Sequence, residues 1–158
     1  MATRQEIIDA VRAFVERADK IAAGLSAADW ETTVYGRGWT AKQVYSHLAS
    51  MGGAIPFFVN MAKNPPSGGG AGGGFDVDTF NAQQVAQRQD KTTDEILTEL
   101  RTAYEGSLKN LDSVSDELLA KEMTTSFDLA GTLGDILVQA VTSHNDGHLD
   151  DIERAVRS

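Results

Sequence analysis

Apolar residues recur at intervals of three and four positions along most of the chain, which is the spacing of one face of an α-helix. No stretch of strand length shows strict alternation of apolar and polar residues or a cluster of β-branched ones. The pattern therefore predicts an all-α protein. The predicted helices run from about Thr3 to Gly24, from Thr40 beyond Phe58, from Asp78 to Gln89, from Thr92 to Ser113 and from Thr132 to the C-terminus.

Threonines mark the predicted helix starts. In a capping box, the side chain of the residue before the helix and that of a Glu or Gln three positions later each accept a hydrogen bond from the other's backbone N–H. This spacing occurs at Thr3 with Glu6, at Thr40 with Gln43 and at Thr92 with Glu95. Asp135 lies three positions after Thr132, near the positive end of the last helix dipole. Helices in this order predict an antiparallel bundle.

Helix-breaking residues interrupt the pattern. Gly52, Gly53 and Pro56 predict a bend or close packing within the second helix. The stretch NPPSGGGAGGG, residues 64–74, predicts a surface loop, and it lacks the Lys-Ser/Thr pair of a phosphate-binding loop. The third and fourth helical stretches are also compatible with one kinked helix. The segments SAADWE and SDELLAKEM predict short helices, and FDLAGT predicts a turn.

Length and composition narrow the class of protein. At 158 residues the chain fits one domain spanning residues 1–158. It contains no cysteine, which excludes disulfides and cysteine metal ligands and suits a reducing compartment. The N-terminus lacks the apolar run of a signal peptide, so we expect a cytoplasmic protein. The 14 Lys and Arg against 23 Asp and Glu give a net charge of −9, which disfavours binding to nucleic acid and to anionic membranes.

The three histidines are the candidate chemical site. His144 and His148 are four residues apart on the apolar stripe of the last helix, and His47 lies on the corresponding stripe of the second helix. All three are therefore predicted to face the core. Each buried imidazole without a hydrogen-bond partner costs about 1–3 kcal/mol. A helical pair at this spacing and a third imidazole from a neighbouring helix can instead bind one divalent ion, with positions left for water or substrate.

Three interpretations of these histidines stay open on this evidence. A His-x-x-x-His pair alone is a weak signal, since such pairs are often exposed or only hydrogen-bonded. The histidines can belong to a metal-dependent enzyme, to a non-enzymatic metal- or small-ligand-binding bundle with a sequestering or resistance role, or to a structural bundle in which they bond one another. The presence of all the histidines on predicted inward faces favours metal binding.

Two segments resemble a known superfamily. WTAKQVYSHLA, from Trp39 to Ala49, resembles the hallmark of the DinB-like four-helix-bundle superfamily, in which a Trp-Thr cap leads to a histidine on the second helix. TLGDILVQAVTSHNDGHLDDI resembles its closing helix, whose two histidines complete a metal site. The intervening NAQQVAQRQDKTTDEILTELRTAY resembles the branch related to the N-terminal domain of mycothiol-dependent maleylpyruvate isomerase.

The resemblance implies an up-down-down-up four-helix bundle that carries a divalent metal, zinc or nickel above all, on His47, His144 and His148. Characterised relatives are thiol S-transferases and isomerases that act on small molecules with mycothiol, bacillithiol or glutathione. A homodimer is also expected for a bundle of this family, although no apolar stripe is clearly left over for an interface. Because the charge is −9, the superfamily's association with DNA damage does not imply DNA binding here.

Two departures from the isomerase shape this expectation. The isomerase has a second, C-terminal domain that contributes to its active site, and this chain ends soon after the predicted metal helix. The first ligand of its helical pair is a carboxylate, whereas this sequence has His144. Both departures argue against isomerisation of maleylpyruvate, and the histidine places the chain closer to the thiol transferases.

Further residues are candidates for supporting roles in metal-assisted thiol chemistry, with Lewis-acid activation of a carbonyl or activation of water as the alternatives. Asp151, three residues after His148, is predicted to orient a ligand or act as a base, or else to lie on a solvated face. Asn81 and Arg88 share a predicted helix face, where Arg88 could hold a substrate carboxylate or simply face solvent. Asp146 and Asp150 are predicted surface charges: the sequence turns them away from the histidines.

Overall fold

The computed structural model of the protein describes residues 1–65, 76–125 and 127–158. Nine α-helices lie in these ranges: α1 Arg4–Gly24, α2 Ala27–Trp30, α3 Ala41–Ser50, α4 Ala54–Lys63, α5 Val77–Ala86, α6 Thr93–Leu111, α7 Asp116–Leu119, α8 Leu133–Gln139 and α9 Asp146–Val156. A 3₁₀ turn, Met51–Gly53, joins α3 to α4, and a π-helical segment, Ala140–Asn145, joins α8 to α9. Four long segments therefore result: α1, α3–α4, α6 and α8–α9.

The capping residues begin the helices as predicted. Complete capping boxes precede three of the long helices, at Thr3 with Glu6, Thr40 with Gln43 and Thr92 with Glu95. Thr132 caps α8, where its hydroxyl oxygen accepts from the backbone N–H of Asp135. Each cap satisfies backbone N–H groups that have no partner within the helix, so these boundaries are encoded locally.

Contacts between the long helices fix their directions. Leu48 and Gly52 on the second segment bond to Tyr104 and Ser107 on α6, so these two segments run parallel. On α1, Arg4 contacts the carbonyl of Leu111 and Asp19 pairs with Arg101, so α1 and α6 are antiparallel. Ala2 and Arg17 contact Asp135 and Asp146 respectively, so the last segment runs parallel to α1. The directions are up, down, down and up, which confirms the predicted all-α four-helix bundle.

Inward faces of the four long segments form the core. The largest fully buried side chains come from every one of them and include Tyr45, Tyr104, Phe14, Ile7, Leu48, Ile55, Leu100, Leu133 and Leu137. The helix stripes predicted from the apolar spacing supply most of this set. Burial of these faces is the main stabilising contribution, at about 25 cal/mol per Å² of apolar surface removed from water.

The glycine interruption in the second segment allows close helix packing. A Cβ on Gly52 would lie 2.4 Å from Cβ of Ala103 on α6, whereas a Cβ on Gly53 would meet nothing within 4 Å. The carbonyl of Gly52 also accepts a hydrogen bond from the Ser107 hydroxyl. The predicted close packing is therefore specific to Gly52, and it brings the end of α3 against α6.

The structure corrects two expectations and decides between the alternatives left open for the third and fourth helical stretches. Two short antiparallel strands, β1 Glu122–Thr124 and β2 Ala130–Thr132, lie where the sequence predicted the end of the short helix SDELLAKEM and the turn FDLAGT. Strands of three residues are too short to show alternation. α5 and α6 are separate helices, because α5 ends at Ala86 and a turn leads to the cap at Thr92. The last helix also contains the π-helical segment, which the sequence did not predict.

Two points concern the extent of the described chain. The predicted loop at residues 64–74 falls almost entirely within residues 66–75, outside the described ranges. Within those ranges, none of the helices combines the length and the apolar character needed to cross a membrane.

Candidate metal centre

His47 forms the buried side of the site. It lies in the last turns of α3 and is 2% exposed. Its ring packs against Trp39, with centroids 5.1 Å apart. Its Nδ1 is buried and has no hydrogen-bond partner among the described residues. Such an unsatisfied polar atom costs about 1–3 kcal/mol in a folded protein, so the imidazole calls for a functional explanation.

His144 and His148 come from the other side of the site, in the last helical segment. His144 belongs to the π-helical segment and His148 to the first turns of α9. A π-helix has hydrogen bonds to the fifth residue rather than the fourth, and it occurs often at functional sites. Ala140, Val141 and Asn145 occupy the buried positions of this segment, while His144 is exposed beside them.

The three imidazoles form one cluster. Ring centroids are 5.3 Å apart for His47 and His144, 5.0 Å for His47 and His148, and 4.7 Å for His144 and His148. One nitrogen of each ring lies within 4.8 Å of those of the other two. Only His47 is buried, since His148 is half-buried and His144 is exposed. The expectation of three core-facing rings is thus wrong for His144, because the π-helical register gives the inward position to Asn145.

Burial keeps two of these rings neutral. Burial, with smaller contributions from His148 and then His144, lowers the pKa of His47 to about 3. Burial and then His144 lower the pKa of His148 to about 4, although Asp151 acts in the opposite direction. Both imidazoles are therefore unprotonated at neutral pH, which is the form that binds metal ions.

A buried hydrogen-bond network orients His144. This network consists of Asn145, the Tyr104 hydroxyl and the Leu48 carbonyl. Tyr104 donates to the Leu48 carbonyl at 3.3 Å, and the amide nitrogen of Asn145 donates to the Tyr104 oxygen at 2.7 Å. The amide oxygen of Asn145 is left facing His144 Nδ1 at 2.9 Å, so that nitrogen must donate. The lone pair of His144 is consequently on Nε2.

A surface hydrogen-bond network contacts His148. This network consists of Tyr35, Asp151 and Arg154. The Tyr35 hydroxyl lies 2.5 Å from His148 Nδ1 and 3.0 Å from Asp151, whose other oxygen accepts from Arg154 at 3.0 Å. Asp151 thus reaches the histidine through Tyr35, in a position to orient a ligand. Burial and then the hydrogen bond to Asp151 raise the pKa of Tyr35 above its ordinary value.

The cluster fits a divalent transition metal. Three imidazoles from two helices converge, and the Nδ1 atoms of His144 and His148 are engaged by protein groups, which leaves their Nε2 atoms available. His47 brings a buried ring with an unpartnered nitrogen. Three nitrogen ligands with one open side match catalytic rather than structural zinc sites. In the described part of the chain, no other group of three such residues forms a comparable cluster.

Arg88 and Asn81 lie away from these contacts. The Arg88 guanidinium pairs with Glu99 at 2.6 Å and also donates to Gln84, and its side chain is only 12% exposed. Asn81 is half-buried on α5, and its side chain makes no hydrogen bond among the described residues. The structure does not bring either side chain into hydrogen-bond contact with the histidines, and their role toward a substrate stays a prediction.

The acidic residues beside the histidines bind α1. Asp146 and Asp150 pair with Arg17 at 3.5 Å and 2.5 Å, together with Glu153 at 2.9 Å. They lie on the side of the helix that faces Arg17, in agreement with the prediction that they turn away from the histidines.

Sequence reasoning missed three residues of the site. Tyr35 lies in a loop without periodicity, so nothing in its spacing relates it to His148. Tyr104 lies on the apolar stripe of α6, and this spacing indicates only a core residue. The inward position of Asn145 could have been predicted, since it lies four residues before Leu149, an apolar residue that is buried in the core.

These features define a class of protein: a four-helix bundle with a three-histidine site between its second and last segments. The sequence matches the family model of the mycothiol maleylpyruvate isomerase N-terminal domain over residues 11–146, and the chain belongs to this family. The assignment to the DinB-like superfamily is thereby confirmed. No curated protein matches the sequence significantly.

Two solved structures are similar to this fold. One is YfiT from Bacillus subtilis, described as a probable metal-dependent hydrolase with an unusual four-helix bundle topology; it has a TM-score of 0.69 and 16% identity over 98% of this chain and 86% of that one. The other is a histidine-to-alanine mutant of the mycothiol-dependent maleylpyruvate isomerase, with a TM-score of 0.67 and 11% identity over 91% of this chain and 60% of that one. This chain thus spans less than two thirds of the isomerase, and identities this low show the fold alone.

Proposed function

We propose that His47, His144 and His148 hold one divalent transition metal, zinc or nickel, and that the protein is a metal-dependent thiol S-transferase or isomerase acting on a small molecule. A low-molecular-weight thiol such as mycothiol is the proposed cosubstrate. The convergence of three imidazoles, two of them with Nδ1 already bonded to protein groups, is the observation that carries this proposal.

The residues of the site have distinct roles in this proposal. When bound, the ion lowers the pKa of a coordinated thiol, so that a thiolate nucleophile is available at neutral pH. His47, packed against Trp39, closes the inner side of the site to water. The exposed edge of His144 leaves the outer side open for the thiol and its electrophile.

Asp151 favours thiol chemistry over hydrolysis by a base-activated water. Its carboxylate accepts hydrogen bonds from Tyr35 and from Arg154, so both oxygens are engaged in orienting the site. A thiol bound to a metal ion loses its proton without a dedicated carboxylate base. The site as built therefore suits a nucleophile that the ion alone activates.

Elemental analysis by plasma mass spectrometry is the first test. Untagged protein is purified as the parent and as the His47→Ala and His144→Ala variants. We expect about one transition ion per parent chain and none in either variant, because each replacement leaves only two ligands. Circular dichroism controls for folding, and it is expected to change least in His144→Ala, since His144 is exposed.

Cobalt substitution then tests the thiol. Cobalt occupies imidazole sites similar to those of zinc, and sulfur ligation produces a charge-transfer absorption band. We expect this band on addition of mycothiol, bacillithiol or glutathione, and no band with the S-methylated form of the same thiol. The thiol that gives the band is then assayed for turnover with small electrophiles.

The alternative outcomes identify other functions. One ion per chain without a thiol band or turnover would indicate the non-enzymatic metal- or ligand-binding bundle. A metal-free parent that is as stable or more stable after His144→Leu would indicate a structural bundle, because packing would then replace polar groups at no cost.

A further inference from the structure

Tyr35 lies between two polar partners at the edge of the histidine cluster. Its hydroxyl is 2.5 Å from His148 Nδ1 and 3.0 Å from a carboxylate oxygen of Asp151. The ring packs edge-on against the imidazole of His148, with centroids 6.0 Å apart. Tyr35 therefore touches the nitrogen of His148 that is opposite to the proposed metal-binding Nε2.

The two hydrogen bonds of Tyr35 determine where the protons lie. An ionised carboxylate can only accept, so the single hydroxyl proton must point to Asp151. If that proton pointed to His148 instead, two oxygens would face each other at 3.0 Å with no hydrogen between them. The Tyr35 oxygen is then an acceptor toward the imidazole, and His148 Nδ1 must carry a hydrogen.

We infer that Tyr35 is a positioning residue that fixes His148 as the Nδ1–H tautomer and thereby keeps the Nε2 lone pair free for an ion, a role that rests on the proposed metal site. A neutral histidine in water prefers its hydrogen on Nε2, so this tautomer has to be imposed by the protein. Tyr35 does for His148 what the buried amide of Asn145 does for His144.

A glycine turn holds Tyr35 in this position. Gly36 has a φ of +61°, which favours glycine, and the Gly38 N–H donates to the Tyr35 carbonyl at 2.9 Å. A Cβ on Gly38 would lie 2.9 Å from the Tyr35 Cβ, so even an alanine there must displace the tyrosine. A bridge between Thr33 and Thr40 anchors the turn at the start of α3.

The test compares Tyr35→Phe with Tyr45→Phe as a matched control. Tyr45→Phe also removes one tyrosine hydroxyl, which donates to the Ala18 carbonyl at 2.7 Å. The ¹⁵N shifts of the His148 ring, recorded on metal-stripped protein, report the tautomer directly. Zinc affinity is then measured by competition with a chelator. We expect the parent and control to show Nδ1–H, and Tyr35→Phe to show Nε2–H with zinc binding weakened by about 10–100-fold.

Gly38→Ala gives a second test that keeps the hydroxyl. It is expected to shift the same tautomer signal in the same direction by a smaller amount, because the tyrosine is displaced rather than truncated. An unchanged His148 tautomer in Tyr35→Phe would overturn the inference, whether or not zinc binds. If the parent binds no zinc while the tautomer still switches in Tyr35→Phe, the proposed metal function fails and the role of Tyr35 stands.

Discussion

The buried and surface networks contact the two histidines of the last segment with different kinds of groups. The buried network consists of neutral groups enclosed by the bundle, and both Asn145 and Tyr104 are 2% exposed. The surface network contains a loop tyrosine, Tyr35, that is 39% exposed, and a charged pair formed by Asp151 and Arg154. Charged groups near solvent respond to pH and salt, whereas enclosed neutral groups do not.

Because of this difference, the two histidines of the last segment are held in place in different ways. The core sets a fixed orientation for His144 through Asn145. The orientation of His148, which contacts Tyr35, can change with the solution and with bound molecules. A site that must admit substrate benefits from an adjustable ligand in His148, whereas His144 stays aligned through the buried Asn145 amide although its own ring is exposed. Substitutions in the two networks are therefore expected to differ in the size of their effects.

Acid is expected to have the largest effect, and to act mainly through His47, the buried histidine that belongs to neither network. His47 has a pKa of about 3 in the folded state against 6.5 for the ordinary group, so the unfolded state binds more protons between these values. Its stabilising contribution is fully present above pH 6.5 and is lost as the pH falls toward 3. The loss for the metal-stripped protein is on the order of a few kcal/mol.

Urea unfolding of metal-stripped protein at a series of pH values measures this effect. His47→Gln is the matched control, because glutamine is polar but does not titrate and every carboxylate remains. The parent should lose more free energy of unfolding than His47→Gln on acidification. Identical pH profiles for the two proteins would show that His47 is not held in its neutral form by burial.

The second largest effect is expected at the contact that supports the buried network. Gly52→Ala places a Cβ 2.4 Å from the Ala103 Cβ, so α3 and α6 must separate. We expect a loss of about 1–3 kcal/mol in the free energy of unfolding, as for other overpacked cores. Gly53→Ala, whose Cβ meets nothing within 4 Å, is the neighbouring control and should be neutral or stabilising. Equal effects of the two substitutions would contradict the close packing at Gly52.

The smallest of the three effects on stability is expected from single substitutions within the two networks. Tyr104→Phe removes the hydroxyl that links Asn145 to Leu48 and is expected to cost about 1–2 kcal/mol, because two buried groups lose their partner. Arg154→Ala removes an exposed ion pair with Asp151 and is expected to change stability by under about 0.5 kcal/mol. Thermal unfolding of the stripped proteins measures both. A larger loss of stability in Arg154→Ala than in Tyr104→Phe would show that the surface network, and not the buried one, is the more rigid.

The sequence predicts those parts of the molecule that depend on local or periodic signals. Threonine caps begin α1, α3, α6 and α8, and the apolar stripes supply the core. His47, His144 and His148 were grouped correctly because their positions follow from helical spacing. These features need no knowledge of distant contacts.

The remaining features depend on tertiary structure. Tyr35 reaches His148 across 113 residues of sequence, and no local pattern encodes such a contact. The strands at Glu122–Thr124 and Ala130–Thr132 form because they pair with each other, not because of their composition. The π-helical segment has the same composition as an α-helix, so its exposed His144 could not be predicted from spacing.

The π-helical segment determines which changes of length the last helix can absorb. A π-helical turn holds about one residue more than an α-helical turn, so the segment takes up an extra residue while the helices on both sides keep their directions. A deletion of one codon between Ala140 and His144 would let the helix close into a regular one, with His148 still on the side that faces His47. The same deletion between His144 and His148 would instead turn His148 by about 100° relative to His144. All three histidines would still be present, yet a change of length at that point would disrupt their site without replacing a single ligand.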